Sequence, residues 1–258
     1  MSDSRTAAWD RIEALPQASL SDLFAGDDAR VDRLSGRIDW GEGEDAAGIR
    51  FDWSKTHLTA DLLDAFDGLA EASDFAARRA ELFAGEPINV TEGRAAEHTA
   101  QRGSGSEASV EEADALRTRM QMLVEAIREG ALGDVNHLIH IGIGGSALGP
   151  DLAVDALTRD LAYVDCHVVS NIDGVALEEA FAACDPATTL VAVASKTFTT
   201  IETMTNAESA MRWLREGGVS DPHGRVIALT ANPERAVEWG VDETRVLPFM
   251  ESVGGRYS

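Results

Sequence analysis

From Val135 onward the chain alternates a short apolar, β-rich run with a stretch whose apolar residues fall at helical spacing. The β-rich runs are Leu138–Ile143, Tyr163–Ser170, Thr189–Ala194, Val226–Thr230 and Arg245–Leu247. Helical stretches occupy 145–157, 174–183, 200–216 and 232–239 between them. The clearest has Ile201, Met204, Ala207, Met211 and Leu214 on one face, with Gly217 and Gly218 to close it. Runs such as Leu190–Ala194 show no polar alternation, which suits strands covered on both faces and therefore a parallel sheet between two helical layers. Right-handed crossovers place the C-terminal ends of all such strands on one edge, where open α/β sheets take ligands. The expected fold is α/β, Rossmann-like and three-layered.

The residues before this pattern read differently. Trp9, Ile12 and Leu15 share a helical face that stops at Pro16, and Leu20, Leu23 and Phe24 make a second short helix. Two alternating runs, Arg37–Trp40 and Ile49–Trp53, flank GEGED and predict a hairpin. Leu62, Leu63, Phe66 and Leu69 predict a helix capped by Thr59, and Phe75–Phe83 continues in that style. The small, polar stretch Arg102–Ser109 has the composition of a linker. A long helix with Leu116, Met120, Leu123 and Ile127 on one face then runs to Gly130. The expected organisation is a mainly helical region over 1–110 followed by the α/β domain over 111–258.

Composition excludes several functions. The net charge of −23 argues against nucleic acid or an anionic membrane as partner. No stretch approaches the roughly 18 to 20 uncharged apolar residues of a membrane helix, and MSDSRTAAWD has neither the basic nor the apolar segment of a signal peptide. Cys166 and Cys184 lack metal spacing and read as reduced thiols, which implies a cytoplasmic location. The six histidines are scattered, with His137, His140 and His167 in predicted strands, and spacing nominates neither a metal set nor a pair of catalytic carboxylates.

Three loops remain as carriers of chemistry. Gly142–Ser146 (GIGGS) follows a strand and opens a helix, so glycines allow close backbone approach while Gly145, Ser146 and the first helical N–H groups face a ligand. It is not G-x-G-x-x-G, and the next strand ends in Ser170–Asn171 rather than in an acid for a ribose, which disfavours a dinucleotide. Ser195–Thr200 (SKTFTT) repeats the arrangement with the hydroxyls of Ser195, Thr197 and Thr200 and the ammonium of Lys196. Lys196 and Lys55 are the only lysines among 22 basic residues, so a compact ammonium in this loop stands out against the general use of arginine. The loop lacks G-K-[ST], which points to a phosphomonoester rather than a nucleoside triphosphate. Each of these loops can also be read blandly, as a tight turn or a helix cap. The third loop is Gly254–Gly255–Arg256, where Arg256 could stabilise oxyanion character or simply be solvated.

Taken together, IGIGGSALGP, VVSNIDG at 168–174, ASKTFTTIETMTNA at 194–207 and VGGRYS at 253–258 resemble the glucose-6-phosphate isomerase (phosphoglucose isomerase) family in order and spacing. TAAWDRI, DLFAGDDAR and INVTEGRAAEH at 88–98 extend the resemblance towards the N-terminus. It implies two sugar isomerase (SIS) domains, a homodimer, and interconversion of glucose 6-phosphate and fructose 6-phosphate through a cis-enediol without metal or organic cofactor. Ser146, Ser195, Lys196, Thr197 and Thr200 would hold the phosphate with Gly145 behind it, and Arg256 would be catalytic, near the sugar oxygens. In the family the proton-transferring Glu, the ring-opening His and a further Lys follow GGRYS. The second SIS domain is therefore expected to be absent from these 258 residues, which by themselves would be inactive or nearly so. A non-catalytic SIS-type phosphosugar-binding module is the alternative.

Overall fold

The computed structural model of the chain describes residues 3–40, 47–157 and 163–255, in two compact units, Met1–Ala80 and Glu81–Ser258. The first unit contains α1 (Asp3–Glu13), α2 (Leu20–Ala25), α3 (Arg30–Arg33), strands β1 (Ser35–Trp40) and β2 (Ala47–Asp52), α4 (Ala60–Ala72) and the start of α5 (Phe75–Ala84). Thr59 caps α4 as expected, its hydroxyl accepting the Leu62 N–H at 3.1 Å. Strands β1 and β2 pair antiparallel from Ser35↔Asp52 to Trp40↔Ala47, as the alternation predicts, while the turn sequence GEGED lies outside the described residues. Helix α1 packs on α4. Arg30 is the unexpected member of this unit, because it is fully buried. Its guanidinium donates to the carbonyls of Ser54, Thr56 and Leu58 and lies over the Phe24 ring. Those bonds offset the cost of removing the charge from water.

The second unit contains α6 (Glu107–Arg128), then β3 (His137–Gly142), α7 (Gly145–Leu157), β4 (Asp165–Val169), α8 (Gly174–Ala183), β5 (Thr189–Ala194), α9 (Ile201–Glu216), β6 (Val226–Thr230), α10 (Pro233–Trp239) and β7 (Val246–Pro248). The five strands form one parallel sheet in the order β4-β3-β5-β6-β7. Every predicted strand and helix of the α/β part is present within two residues of its expected ends. The polar stretch Arg102–Ser109 turns at 103–106, with Gly103 at φ +76°, and runs into α6, which Ser106 caps by accepting the Ser109 N–H.

The register explains the near-continuous apolar runs. Ile139, Ile141, Val191, Val193, Val226, Ala228 and Val246 share one sheet face and pack with Leu177 and Ala180 of α8, Ala207, Met211 and Leu214 of α9, and Ala236 of α10. Helices α6 and α7 contact the sheet as well, α7 at β3 and β4 and α6 at β7. The strand order matters more than the layers. The chain leaves β3 to one side for β4 and returns on the other side for β5, so the crossovers after β3 and β5 diverge at their C-terminal ends. That crevice is the topological switch point of the sheet.

Replacing Leu214, which is completely buried, by Ala should cost about 2–5 kcal/mol in urea unfolding, whereas Ile201→Ala on the same helix, at a side chain 76% exposed, should stay within about 0.5 kcal/mol. Equal effects would mean that α9 does not bury the face assigned to it.

Candidate functional site

The register pairs Gly142 of β3 with Ala194 of β5, so the two ligand loops begin side by side on the C-terminal edge. After β3 the backbone turns through Gly144 at φ +59°, a left-handed conformation suited to glycine, and α7 starts at Gly145. Gly142 admits no side chain, because a Cβ there would meet the Ser146 carbonyl oxygen at 2.7 Å. The first turn of α7 is thus pressed against the strand end, with Ser146 in that turn. His140 fixes it from below: its Nε2 lies 2.7 Å from the Ser146 carbonyl, so the ring carries its proton on Nε2 and donates. Burial lowers the His140 pKa, and the bond to Ser146 opposes that only in part.

The second loop is shaped by Phe198. This residue has φ +54°, an outlier for a bulky side chain that costs on the order of 1–3 kcal/mol and needs compensation. The compensation is burial: its ring joins the core and meets Trp239 edge-on at 5.9 Å. With Phe198 turned inward, Thr197 and Thr199 face outward and their hydroxyls lie 2.7 Å apart. Thr200 stands at the N-cap of α9 but its side chain makes no capping bond. Its hydroxyl instead meets that of Ser195, which is buried, at 3.1 Å. Thr200 is thus an N-cap by position only, and among the described residues no side chain accepts from the first N–H groups of α9.

A segment after β7 closes over both loops. Phe249 N–H donates to the Thr230 carbonyl, and the Lys196 ammonium donates to the Glu251 carbonyl at 2.9 Å and pairs with the Glu251 carboxylate at 3.3 Å. Glu97 N–H donates to the Ser252 carbonyl. His98 Nε2 lies 3.1 Å from the Gly254 N–H and 2.9 Å from its carbonyl, so the ring accepts from the one or donates to the other. A Cβ on Gly145 would come within 3.3 Å of the Gly255 Cα. All three sequence loops therefore meet at one place, although Arg256 itself lies outside the described residues. The Lys196–Glu251 pair involves a carboxylate that is mostly exposed, so it is weak and can yield to a stronger anion.

Sequence reasoning missed three supporting residues: Glu251, His98 and Glu97. Glu97 is buried and accepts from the Ser109 hydroxyl at 2.7 Å and the Ser106 N–H at 3.2 Å. Burial alone would raise its pKa, but the hydrogen bonds from Ser109, Ser106 and Ser252 prevail and lower it. It therefore stays ionised and joins the start of α6 to the segment that carries Gly254. The only sequence signal for Glu97 and His98 was their place in the stretch INVTEGRAAEH, and Glu251 carried none.

This geometry defines a class: a parallel α/β domain with two glycine- or hydroxyl-lined helix N-termini at its switch point, suited to a small anion. The phosphoglucose isomerase family model matches residues 52–258, and the chain belongs to that family. It is 71% identical to the glucose-6-phosphate isomerase of Erythrobacter litoralis over its whole length, which is 51% of that protein. It is 67% identical to that of Novosphingobium aromaticivorans over 97% of the chain and 48% of the relative. A solved structure of a glucose-6-phosphate isomerase from Chlamydia trachomatis shares the fold with a TM-score of 0.77 at 23% identity, over 100% of this chain and 49% of that one. The chain spans about half the length of the curated relatives it matches.

Lowering the pH tests the support beneath Ser146. The folded-state pKa of His140 is depressed, so its contribution to stability is complete above about pH 6.5 and falls as the unfolded chain takes up the proton below that. The melting temperature should drop between about pH 6.5 and 5, and His140→Gln, which keeps a donor without the titration, should flatten that slope. An unchanged slope would remove His140 from this role.

Proposed function

We propose that this chain forms the phosphate-binding part of a glucose-6-phosphate isomerase, the enzyme that interconverts glucose 6-phosphate and fructose 6-phosphate. The observation that supports this most directly is the convergence of Gly145–Ser146 and Lys196–Thr200 on one crevice, through the pairing of Gly142 with Ala194. A phosphate dianion placed there would receive N–H groups from α7 and α9, hydroxyls from Ser146, Thr197 and Thr200, and the Lys196 ammonium released from Glu251. Ser195 would orient Thr200 from beneath. Hydrogen bonds to a charged group contribute about 1.5–3 kcal/mol each, so three or four of them, less the cost of immobilising the sugar, give micromolar-to-millimolar affinity.

Anchoring the phosphate fixes the far end of an open-chain hexose and leaves C1 and C2 free for the reaction; the resemblance assigns Arg256 to the sugar oxygens. The reaction moves a proton between those carbons through a cis-enediol(ate), whose developing oxyanion a guanidinium would stabilise. General acid–base transfer contributes about 10²–10⁴-fold, and the resemblance assigns it to a glutamate that follows GGRYS in the family. The whole protein is proposed to contain two SIS domains and to act as a cytoplasmic homodimer. Among the described residues no helix is long and apolar enough to cross a membrane. These 258 residues by themselves are expected to bind the sugar phosphate and not to turn it over.

Calorimetric titration with fructose 6-phosphate checks the anchor. Lys196→Ala should weaken binding at least about tenfold, since loss of one charge-assisted bond is worth more than the 1.4 kcal/mol that a factor of ten requires. Equal affinity in wild type and variant would dismiss the anchor. In a coupled assay the same chain should show no isomerisation above background; turnover that depends on Lys196 would mean that the reacting groups are already present and that the division of labour is wrong.

A further inference from the structure

The opposite, N-terminal edge of the sheet holds a second cluster that the phosphate site does not use. His137 opens β3, His167 lies in the adjacent β4, and Cys184 caps the C-terminus of α8 just before β5. One donor atom from each lies within 4.8 Å of the other two. We propose that His137, His167 and Cys184 form a zinc-binding site.

Sequence spacing conceals this set, because the parallel register supplies it: Ile139 pairs with His167, so His137 and His167 emerge on the same sheet face, over which α8 lies. Two imidazoles and a thiolate are a donor set for Zn(II), at about 2.0–2.1 Å from nitrogen and 2.3 Å from sulfur, which places tetrahedral donors about 3.3–3.6 Å apart. The donor atoms, within 4.8 Å of one another, are at most about 1.2–1.5 Å wider than that spacing, a gap that side-chain rotations can close. Magnesium and calcium, which favour oxygen donors, do not suit it.

Two further features favour a cation. The Nδ1 of His137 is buried with no hydrogen-bond partner among the described residues, and lies 4.0 Å from the Asp165 carboxylate. Carbonyls at the end of α8 direct the negative end of the helix dipole towards Cys184. A dication reverses the local charge, so binding converts thiol to thiolate and releases one proton to solvent. The zinc has a structural role: it joins β3, β4 and the end of α8, far from the phosphate edge, and leaves a fourth position to water or to the Asp165 carboxylate.

Cobalt(II) serves as a spectroscopic substitute. Titrated into the reduced chain, it should give a thiolate-to-cobalt charge-transfer band with tetrahedral ligand-field bands, and zinc should displace both. Cys184→Ser should abolish the charge-transfer band, Cys166→Ser should retain it, and His167→Gln should weaken cobalt binding at least about tenfold. Zinc, but not magnesium, should raise the melting temperature of the wild type and not that of Cys184→Ser. If Cys184→Ser does not fold, as judged by circular dichroism, then His137→Gln and His167→Gln decide the matter through loss of affinity. No charge-transfer band in the wild type, a band that survives Cys184→Ser, or one lost only in Cys166→Ser would overturn the proposal.

Discussion

One backbone pairing determines the site: Gly142 of β3 lies beside Ala194 of β5 in parallel register. Neighbouring strands are about 4.8 Å apart, so two loops that begin on adjacent strands at the same level cannot diverge before their helices start. Because the chain reaches β4 and β5 on opposite sides of β3, the two crossovers separate there and leave a crevice. Each loop then meets a local constraint. Gly142 is required because the carbonyl of Ser146 occupies the space of a side chain, and Phe198 turns inward against Trp239 so that the threonines of its loop face out. The site is thus a consequence of the register together with two steric requirements, and its polar groups follow.

Much of this was legible in the sequence. Strands β5 and β6 are buried on both faces, so their apolar runs read clearly, and helix ends are marked by Asn232 and Gly217. The hydroxyl and glycine clusters fall at the C-terminal ends of those runs, which is enough to place them on one edge. What could not be read was long-range partnership between polar groups. Lys196 and Glu251 are 55 residues apart, and His98 and Gly254 are 156 apart, with no local pattern to link either pair. Arg30 fails for a different reason. An arginine in an acidic, helical region reads as solvated surface, and only the turn at Ser54–Leu58 provides the carbonyls that let it enter the interior.

The two edges of the sheet divide the chemistry. On the C-terminal edge, N–H groups, hydroxyls and a lysine give an environment for an anion, and the strongly negative remainder of the chain does not prevent it, because charges beyond a Debye length of about 8 Å are screened. On the N-terminal edge, imidazoles, a thiol, a carboxylate and the end of α8 give an environment for a cation. The segment 249–255 belongs to the first edge. It exchanges hydrogen bonds with Lys196, Glu97, His98 and Thr230, and so brings the glycines before Arg256 to the start of α7.

Backbone amides report anion binding directly, because much of it is proposed to come from the N–H groups of two helices. In an amide-resolved NMR titration with fructose 6-phosphate, residues 144–147 and 197–203 should shift together and saturate at one ligand concentration. Shifts confined to one loop, or located elsewhere in the chain, would contradict it.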